Sequence, residues 1–233
     1  MLHSFHLARV GVPAAVGALL RPPSPGAVTG LRRLEPMAGM RLGAPVVSAA
    51  RIQLHRMAVL AEWDDADALD CFLKEHPLGR RLATGWHVRL QFLRRWGSVA
   101  AFAHLPQEAA RSRPGEPVVA VTLARTRLLG LPRFIRWGRP VEEQVRDHPG
   151  ATLALAAVRP PRTVSTFSVW ESSRAMTGMV WGRDAGPVGE RHAGAMVELE
   201  RRDFHHEFTT LRFRPLSEHG SWEGRSDWVP PLR

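Results

Sequence analysis

The sequence contains a single cysteine, Cys71, so an intramolecular disulfide is impossible and a cytoplasmic location is expected. Cys71 lies in a helical pattern between Leu69 and Phe72, which predicts a buried structural thiol. No stretch reaches the roughly 18 apolar residues of a membrane span, so we expect no integral membrane segment. The apolar stretch Val10–Leu20 contains Pro13 and lacks the flanks of a signal peptide, which predicts that it is part of the fold.

Lysine is almost missing as well. The formal net charge is +10, yet Lys74 is the only lysine among the 32 Lys and Arg residues, and the arginines are spread along the chain. A nucleic-acid binder usually carries a basic stripe or a known motif, so we expect no nucleic-acid partner. The phosphate-loop, nucleophile-elbow and C-x-x-C motifs are also absent from the sequence. Hydrophobic residues make up 44%, which predicts a folded protein.

The chain does contain an internal repeat. Leu60–Leu73 resembles Phe167–Val180, and Trp63 and Trp170 occupy equivalent positions. Further along, Val88–Val99 resembles Thr210–Trp222. The hydrophobic pattern of each half then predicts six elements in the order strand, helix, strand, strand, helix and strand.

The second half shows this order most clearly. It predicts a helix ending near His148, two strands joined by Arg-Pro-Pro, and a helix that begins at a serine and carries Met176 and Met179. The predicted fold is therefore α+β, with two tandem ferredoxin-like βαββαβ halves forming a pseudo-dimeric α+β barrel. Two such sheets lying face to face would enclose a space for a ligand.

The predicted boundaries are an N-terminal half at 1–104, a linker at 105–117, and a C-terminal half at 118–233. The halves are unequal. Trp63 and Gly97 are 34 positions apart, whereas Trp170 and Gly220 are 50 apart. The additional residues precede the last strand, which makes that insertion a candidate place for function.

A helix over 190–202 would place His192, Met196 and Leu199 on one apolar stripe. A histidine there is either an ordinary core residue or an axial ligand to haem iron, and the spacing leaves both readings open. His205 and His206 would face opposite sides of a strand. His205 and Glu207 share a face, but no third ligand with suitable spacing completes an iron site. The remaining histidines of interest, which are His87, His148 and His219, are predicted to be structural.

Several stretches resemble the spheroidene monooxygenase family, in the dimeric α+β barrel superfamily. They are FSVWESSRAM, HAGAM, FHHEFTTLRF and HGSWEG in the second half, and WHVRLQFLRRWGSV in the first. The resemblance covers most of residues 50–225. It implies an oxygenase with a b-type haem whose iron is bound by His192. Under that reading, a second set of residues would contact the cofactor: Arg183, Arg191, Trp170, Met176 and Met196.

The sequence departs from the family pattern at RRDFHHEF, so carotenoid chemistry does not follow from the resemblance. The leading hypothesis is a haem-dependent oxygenase that acts on a small or medium apolar metabolite, in secondary metabolism. The alternatives are a cofactor-free monooxygenase of the antibiotic-biosynthesis type and a non-enzymatic ligand-binding module. No individual catalytic residue is assigned. The expected partner is a small-molecule substrate, and the chain is expected to be a monomer or a homodimer.

Overall fold

The computed structural model of the chain describes residues 1–41, 51–126, 144–180 and 205–231. Its first half follows the predicted order of elements, with one additional short helix. These elements are β1 (Leu2–Arg9), α1 (Val12–Leu20), β2 (Leu31–Met40), β3 (Ile52–Trp63), α2 (Ala66–Glu75), α3 (Pro77–Ala83) and β4 (Trp86–Ser98). Because Leu2–Arg9 and Val12–Leu20 form β1 and α1, the prediction that this stretch is part of the fold is confirmed.

The second half repeats the arrangement. Its elements are β5 (Val118–Thr126), β6 (Ala151–Arg159), β7 (Thr163–Trp170), α4 (Ser173–Val180) and β8 (His205–Gly220). A helical segment over 144–147 ends before His148, as predicted, and the earlier part of that predicted helix lies outside the described residues. The Ser172 hydroxyl accepts the Ala175 N–H at 3.1 Å, so a serine does cap α4.

Local sequence also explains where the helices of the first half begin. The Asp65 carboxylate accepts the backbone N–H of Ala68 at 2.9 Å and caps α2. At the next boundary, His76 caps α3 through its Nδ1, which accepts the N–H of Leu78, and Pro77 occupies the first turn. The chain therefore turns from α2 directly into α3 without a loop.

All eight strands form one closed antiparallel barrel. The strand orders are β4-β1-β3-β2 in the first half and β8-β5-β7-β6 in the second, and the seams are β2–β6 and β4–β8. This confirms the α+β fold with two ferredoxin-like halves. The two sheets pair at both edges and face each other across the interior, where Phe5 of β1 stacks on Phe167 of β7. Closure pairs the edge strands that each half would otherwise leave open.

Strand alternation separates an interior layer from an outer layer. The interior is filled by apolar side chains from both halves, including Phe5, Trp86, Phe167, Leu211 and Phe213. Helices α1, α2 and α3 cover a second cluster outside the first half, and α4 covers a third outside the second half. The expected space between the two sheets is therefore occupied by packed side chains.

Two connecting segments add to the interior. Phe102 and Leu105 join it from the segment after β4, and Trp222 joins it from the segment after β8. Because β4 and β8 are antiparallel, these segments lie at opposite ends of the barrel. The predicted linker hydrogen-bonds to β4, where the Leu93 carbonyl accepts the Ala109 N–H at 2.8 Å. The division at 1–104, 105–117 and 118–233 stays a prediction.

Cys71 requires a correction. It lies on α2, as predicted, but it is exposed. The buried side chains of α2 are Leu69, Phe72 and Leu73, which occupy a different face of the helix. A hydrogen bond with Glu75 raises the pKa of the Cys71 thiol. Among the helices that the structure describes, none is long and apolar enough to cross a membrane.

Candidate functional site

The site predicted from sequence falls only partly on the described residues. The candidate iron ligand His192, together with Arg183, Arg191 and Met196, lies outside them. Trp170 and Met176 are described, and both pack on the outer side of the second-half sheet beneath α4. The structure therefore brings together two of the six predicted residues, and the cofactor-binding roles of all six stay predictions.

Trp170 is held firmly at the end of β7. Its indole N–H donates to the Ser168 hydroxyl at 2.8 Å, and the ring of His148 lies 5.0 Å from its own. The His148 Nδ1 accepts the Gly150 N–H at 3.0 Å, which fixes the imidazole beside the indole. Trp170 and Met176 pack with Met179 and Val118 as an apolar wall. The four side chains are buried beneath α4, and the contact of Trp170 and Met176 with a cofactor stays a prediction.

The outer face of the sheet changes character beyond this wall. Its side chains are small or polar and half-buried, namely Ala120, Thr122, Thr166 and Thr210. The equivalent face of the first half is instead filled by large buried side chains, including Met57, Val59 and Trp63, beneath α2 and α3. Among the described residues, the outward side chains next to the apolar wall are therefore smaller in the second half than in the first.

A second candidate site was missed from the sequence. His3 and Glu62 are paired neighbours on β1 and β3 at one end of the barrel, and both are buried. The Nε2 of His104, in the segment after β4, lies 3.0 Å from both Glu62 carboxylate oxygens. The His3 Nε2 lies 4.0 Å from the Glu62 Oε2. A carboxylate buried in this way holds the imidazole of His104 in one orientation, while 45% of the His104 side chain remains exposed.

His3 is the least satisfied polar group of this cluster. Neither of its ring nitrogens has a hydrogen-bond partner among the described residues. Burial lowers the pKa of His3 to about 3, and the electrostatic interaction with His104 lowers it further. The imidazole is therefore neutral at ordinary pH. The sequence signal was Glu62 itself, a single acid within the apolar run Met57–Trp63.

His87 and His219, predicted to be structural, are brought side by side across β4 and β8 with ring centroids 4.8 Å apart. His6 continues the row, 5.1 Å from His87. The Ser4 hydroxyl links His6 to Trp63, because it lies 2.8 Å from the His6 Nε2 and accepts the indole N–H at 2.8 Å. Burial lowers the pKa of both His6 and His87. His6 and His87 are buried members of this row, and His219 ends it at the surface.

Within the described residues, no group of three His, Cys, Asp or Glu side chains could hold a metal ion. Glu207, considered above as a partner of His205, is paired with Arg125 at 3.1 Å and accepts the Ala100 N–H at 3.3 Å. These contacts hold the start of β8 against β5 and the segment after β4. The side chains of His205 and His206 lie outside the described part of the chain.

The fold and these sites define the class of protein: a pseudo-dimeric α+β barrel built from two ferredoxin-like halves. Within that class, the chain is similar to spheroidene monooxygenases, which confirms the resemblance seen in the sequence. It is 36% identical to the enzyme of Rubrivivax gelatinosus over 110 residues, which are 47% of this chain and 40% of that protein. It is 29% identical to the enzyme of Rhodobacter capsulatus over 179 residues, which are 72% of this chain and 70% of that protein.

The match therefore spans less than half of one relative and about two thirds of the other. The names of these relatives support an oxidoreductase-type enzyme. No protein-family profile matches the chain.

Solved structures to which the chain is similar include an aldoxime dehydratase and a monooxygenase-like protein from Listeria innocua. The dehydratase is 7% identical, with a TM-score of 0.49, and the alignment covers 93% of this chain and 79% of that one. The Listeria protein is 11% identical, with a TM-score of 0.31, and the alignment covers 93% and 95% of the two chains.

Proposed function

We propose that the protein is a haem-dependent monooxygenase that acts on a small or medium apolar metabolite. The observation that carries the proposal is the similarity to two spheroidene monooxygenases, which extends over 72% of the chain in one case. The single cysteine supports a reducing compartment such as the cytoplasm. The substrate would be a small molecule, because the chain carries neither a nucleic-acid motif nor a basic stripe.

The described residues fit a flat apolar cofactor on the outer side of the second half. Trp170 and Met176 are buried beneath α4, and the small side chains of Ala120, Thr122 and Thr210 beside them leave room for such a cofactor. Large side chains at those three positions, like those of the first half, would fill the same space. His192 would be the iron ligand, with Arg183 and Arg191 near the carboxylates of the cofactor.

A bound haem would supply the activation of oxygen or of a peroxide. The residues of the chain would bind and orient the substrate and would exclude water from it. An apolar substrate would gain from binding, because burying its surface contributes about 25 cal/mol for each Å² removed from water.

The test is an optical titration of the purified protein with hemin. A Soret band that saturates at one haem per chain, and that shifts or disappears in His192→Ala, is the expected result. His55→Ala is the matched control, since His55 is an exposed histidine in the first half. Absence of a band in the wild type would contradict haem binding. An unchanged band in His192→Ala would contradict the role of His192 alone.

The His104–Glu62 pair favours a second candidate, a cofactor-free monooxygenase that acts on an electron-rich phenol or quinol. An exposed imidazole oriented by a buried carboxylate can accept the phenolic proton, which makes the substrate easier to oxidise. The expected result is oxygen uptake with a hydroquinone in haem-free protein, reduced at least tenfold in His104→Gln. Uptake that persists unchanged in that variant would exclude this site.

A further inference from the structure

Two arginines and a tryptophan meet on the outer surface of the barrel at the seam between the halves. The guanidinium carbon of Arg94 lies 4.3 Å from the centroid of the Trp96 ring, and that of Arg212 lies 4.7 Å from it. Arg94 and Trp96 are on β4, and Arg212 is on β8. A register shift after Phe92 pairs Arg94 directly with Arg212. We call these three side chains the Arg94–Arg212 site.

The positive charges of Arg94 and Arg212 repel each other in this arrangement. Like charges directly opposite each other on neighbouring strands destabilise a sheet. The Arg212 Nε is buried and has no hydrogen-bond acceptor in the part of the chain that the structure describes. Burial, followed by the charge of Arg94, lowers the pKa of Arg212 to about 10. The nearest carboxylate to Arg94, that of Glu108, is 4.0 Å away and accepts from Arg111 at 2.8 Å.

Arg214 shows what a satisfied arginine looks like on the same face of the same strand. Its guanidinium donates to Gln91, to the Arg111 carbonyl and to the Glu116 carboxylate, at 2.9, 3.0 and 3.1 Å. Among the residues that the structure describes, no such set of acceptors surrounds Arg212. The difference two residues apart indicates that Arg212 is not simply a surface arginine paired for stability, and departures of this kind are typical of binding sites.

We propose that the Arg94–Arg212 site binds the carboxylate of a planar aromatic ligand. A carboxylate accepts hydrogen bonds from arginine with matched geometry, and the two positive charges favour an anion between them. The indole of Trp96, 36% exposed, holds both guanidinium groups over its ring, and its exposed edge is available to an aromatic ligand. Small side chains extend the surface inward, because Ala120 pairs with Arg212 across β5 and β8.

The site is adjacent to the apolar wall of the second half. Ala120 packs against the cluster that contains Trp170 and Met176, and it is the direct neighbour of Arg212. A ligand could therefore place its carboxylate at the arginines and its apolar part over Ala120, beside this buried cluster. The identity of the ligand rests on the proposed function: the carboxylate is either a haem propionate or part of the substrate. The existence of the anion site does not depend on it.

In the first arm of the test, the full chain is titrated with 2-naphthoate. Binding is monitored through the indole N–H signal of Trp96 in a nitrogen-15 NMR spectrum. Trp96→Phe identifies the signal. We expect a saturable shift with 2-naphthoate, and at least tenfold weaker binding in Arg212→Met and Arg94→Met. Arg214→Met is the matched control and should keep the affinity within about twofold. Arg94 is 45% exposed, so its variant tests the site even where Arg212→Met fails to fold.

The uncharged analogue 2-naphthylmethanol shows whether the carboxylate matters. Equal shifts with both compounds, no shift with 2-naphthoate, or unchanged affinity in both arginine variants would overturn the proposal. The second arm compares hemin with its dimethyl ester. If the ester binds more weakly than hemin to the wild type, and this difference disappears in Arg212→Met, the site binds a propionate. If hemin and the ester bind equally to the wild type, the carboxylate belongs to the substrate. If hemin does not bind at all, the proposed function is contradicted. The first arm then still decides whether the Arg94–Arg212 site binds a carboxylate.

Discussion

Phe5 of β1 stacks on Phe167 of β7 inside the barrel, with ring centroids 3.6 Å apart and planes inclined by 9°. The two rings come from different halves of the repeat. Trp86 meets Phe167 edge to face at 6.1 Å and extends the contact across the interior. The two halves thus share one apolar interior as well as two strand seams.

Phe167→Ala should destabilise the whole barrel. Removing a fully buried aromatic side chain costs about 3–5 kcal/mol of unfolding free energy. Urea unfolding followed by tryptophan fluorescence and by circular dichroism should show one transition shifted to lower urea in both signals. Leu216→Ala, at a side chain that is 53% exposed, should change the unfolding free energy by no more than about 0.5 kcal/mol. A loss below 1 kcal/mol in Phe167→Ala would contradict the shared interior.

Gly97→Ala should weaken the β4–β8 seam. Gly97 has φ of 70°, and an added Cβ would collide with the Phe208 carbonyl oxygen. We expect a loss of about 2 kcal/mol or more, since a left-handed alanine alone costs 1–2 kcal/mol. Gly17→Ala is the control in α1, where an added Cβ meets no atom within 4 Å. There, alanine should raise stability by about 0.5–1 kcal/mol in the same urea assay.

His3 should make the protein lose stability in mild acid. The unfolded chain takes up a proton on this imidazole below pH 6.5, whereas burial lowers the pKa of His3 to about 3 in the folded chain. The contribution of neutral, buried His3 to the unfolding free energy is therefore fully present above pH 6.5. It is lost as the pH falls from 6.5 towards 3.

Between pH 6 and pH 4, the unfolding free energy of His3→Gln should fall less steeply with pH than that of the wild type. The slope should be smaller by about 1.4 kcal/mol per pH unit. His6 and His87, whose pKa values burial also lowers, should preserve the remaining slope. Urea titrations at several pH values measure this, and the exposed His55, changed to Gln, is the control. If His3→Gln and the wild type give the same slope, His3 is not neutral in the folded protein.

Arg212→Met should stabilise the protein by roughly 0.2–1 kcal/mol, because it removes a like-charge pair across β4 and β8. Arg214→Met should instead destabilise it by about 1 kcal/mol, since three acceptors lose their donor. Thermal and urea unfolding of both variants in ligand-free protein provide the comparison. Destabilisation of Arg212→Met equal to that of Arg214→Met would indicate a structural role for Arg212.

Sequence patterns predicted the parts of the fold that depend on neighbouring residues. Trp63 and Trp170 end the strands β3 and β7, as the repeat required, and each indole N–H donates to a serine hydroxyl. Met176 and Met179 lie on the buried face of α4, as their helical spacing predicted. The prediction that Cys71 is buried was wrong. Helical spacing alone does not say which face of α2 meets the sheet, and Cys71 is exposed.

Contacts between distant residues were not accessible in the same way. His3 and Glu62 are 59 positions apart in the sequence, and Arg94 and Arg212 are 118 apart. Each pair exists because strand register places its two members opposite each other. A shift of one residue would turn either side chain to the other face of the sheet, so no local pattern could predict these neighbours.

The sequence by itself determined the repeat, the alternation of each strand and the helix caps, because these depend on interactions within a few residues. The tertiary structure decided that the two sheets close edge to edge, that the interior is filled, and that Arg94 and Arg212 face each other with no carboxylate of the described residues between them. These features depend on register and closure. Both are set by the free energy of packing all eight strands together, which no single segment contains.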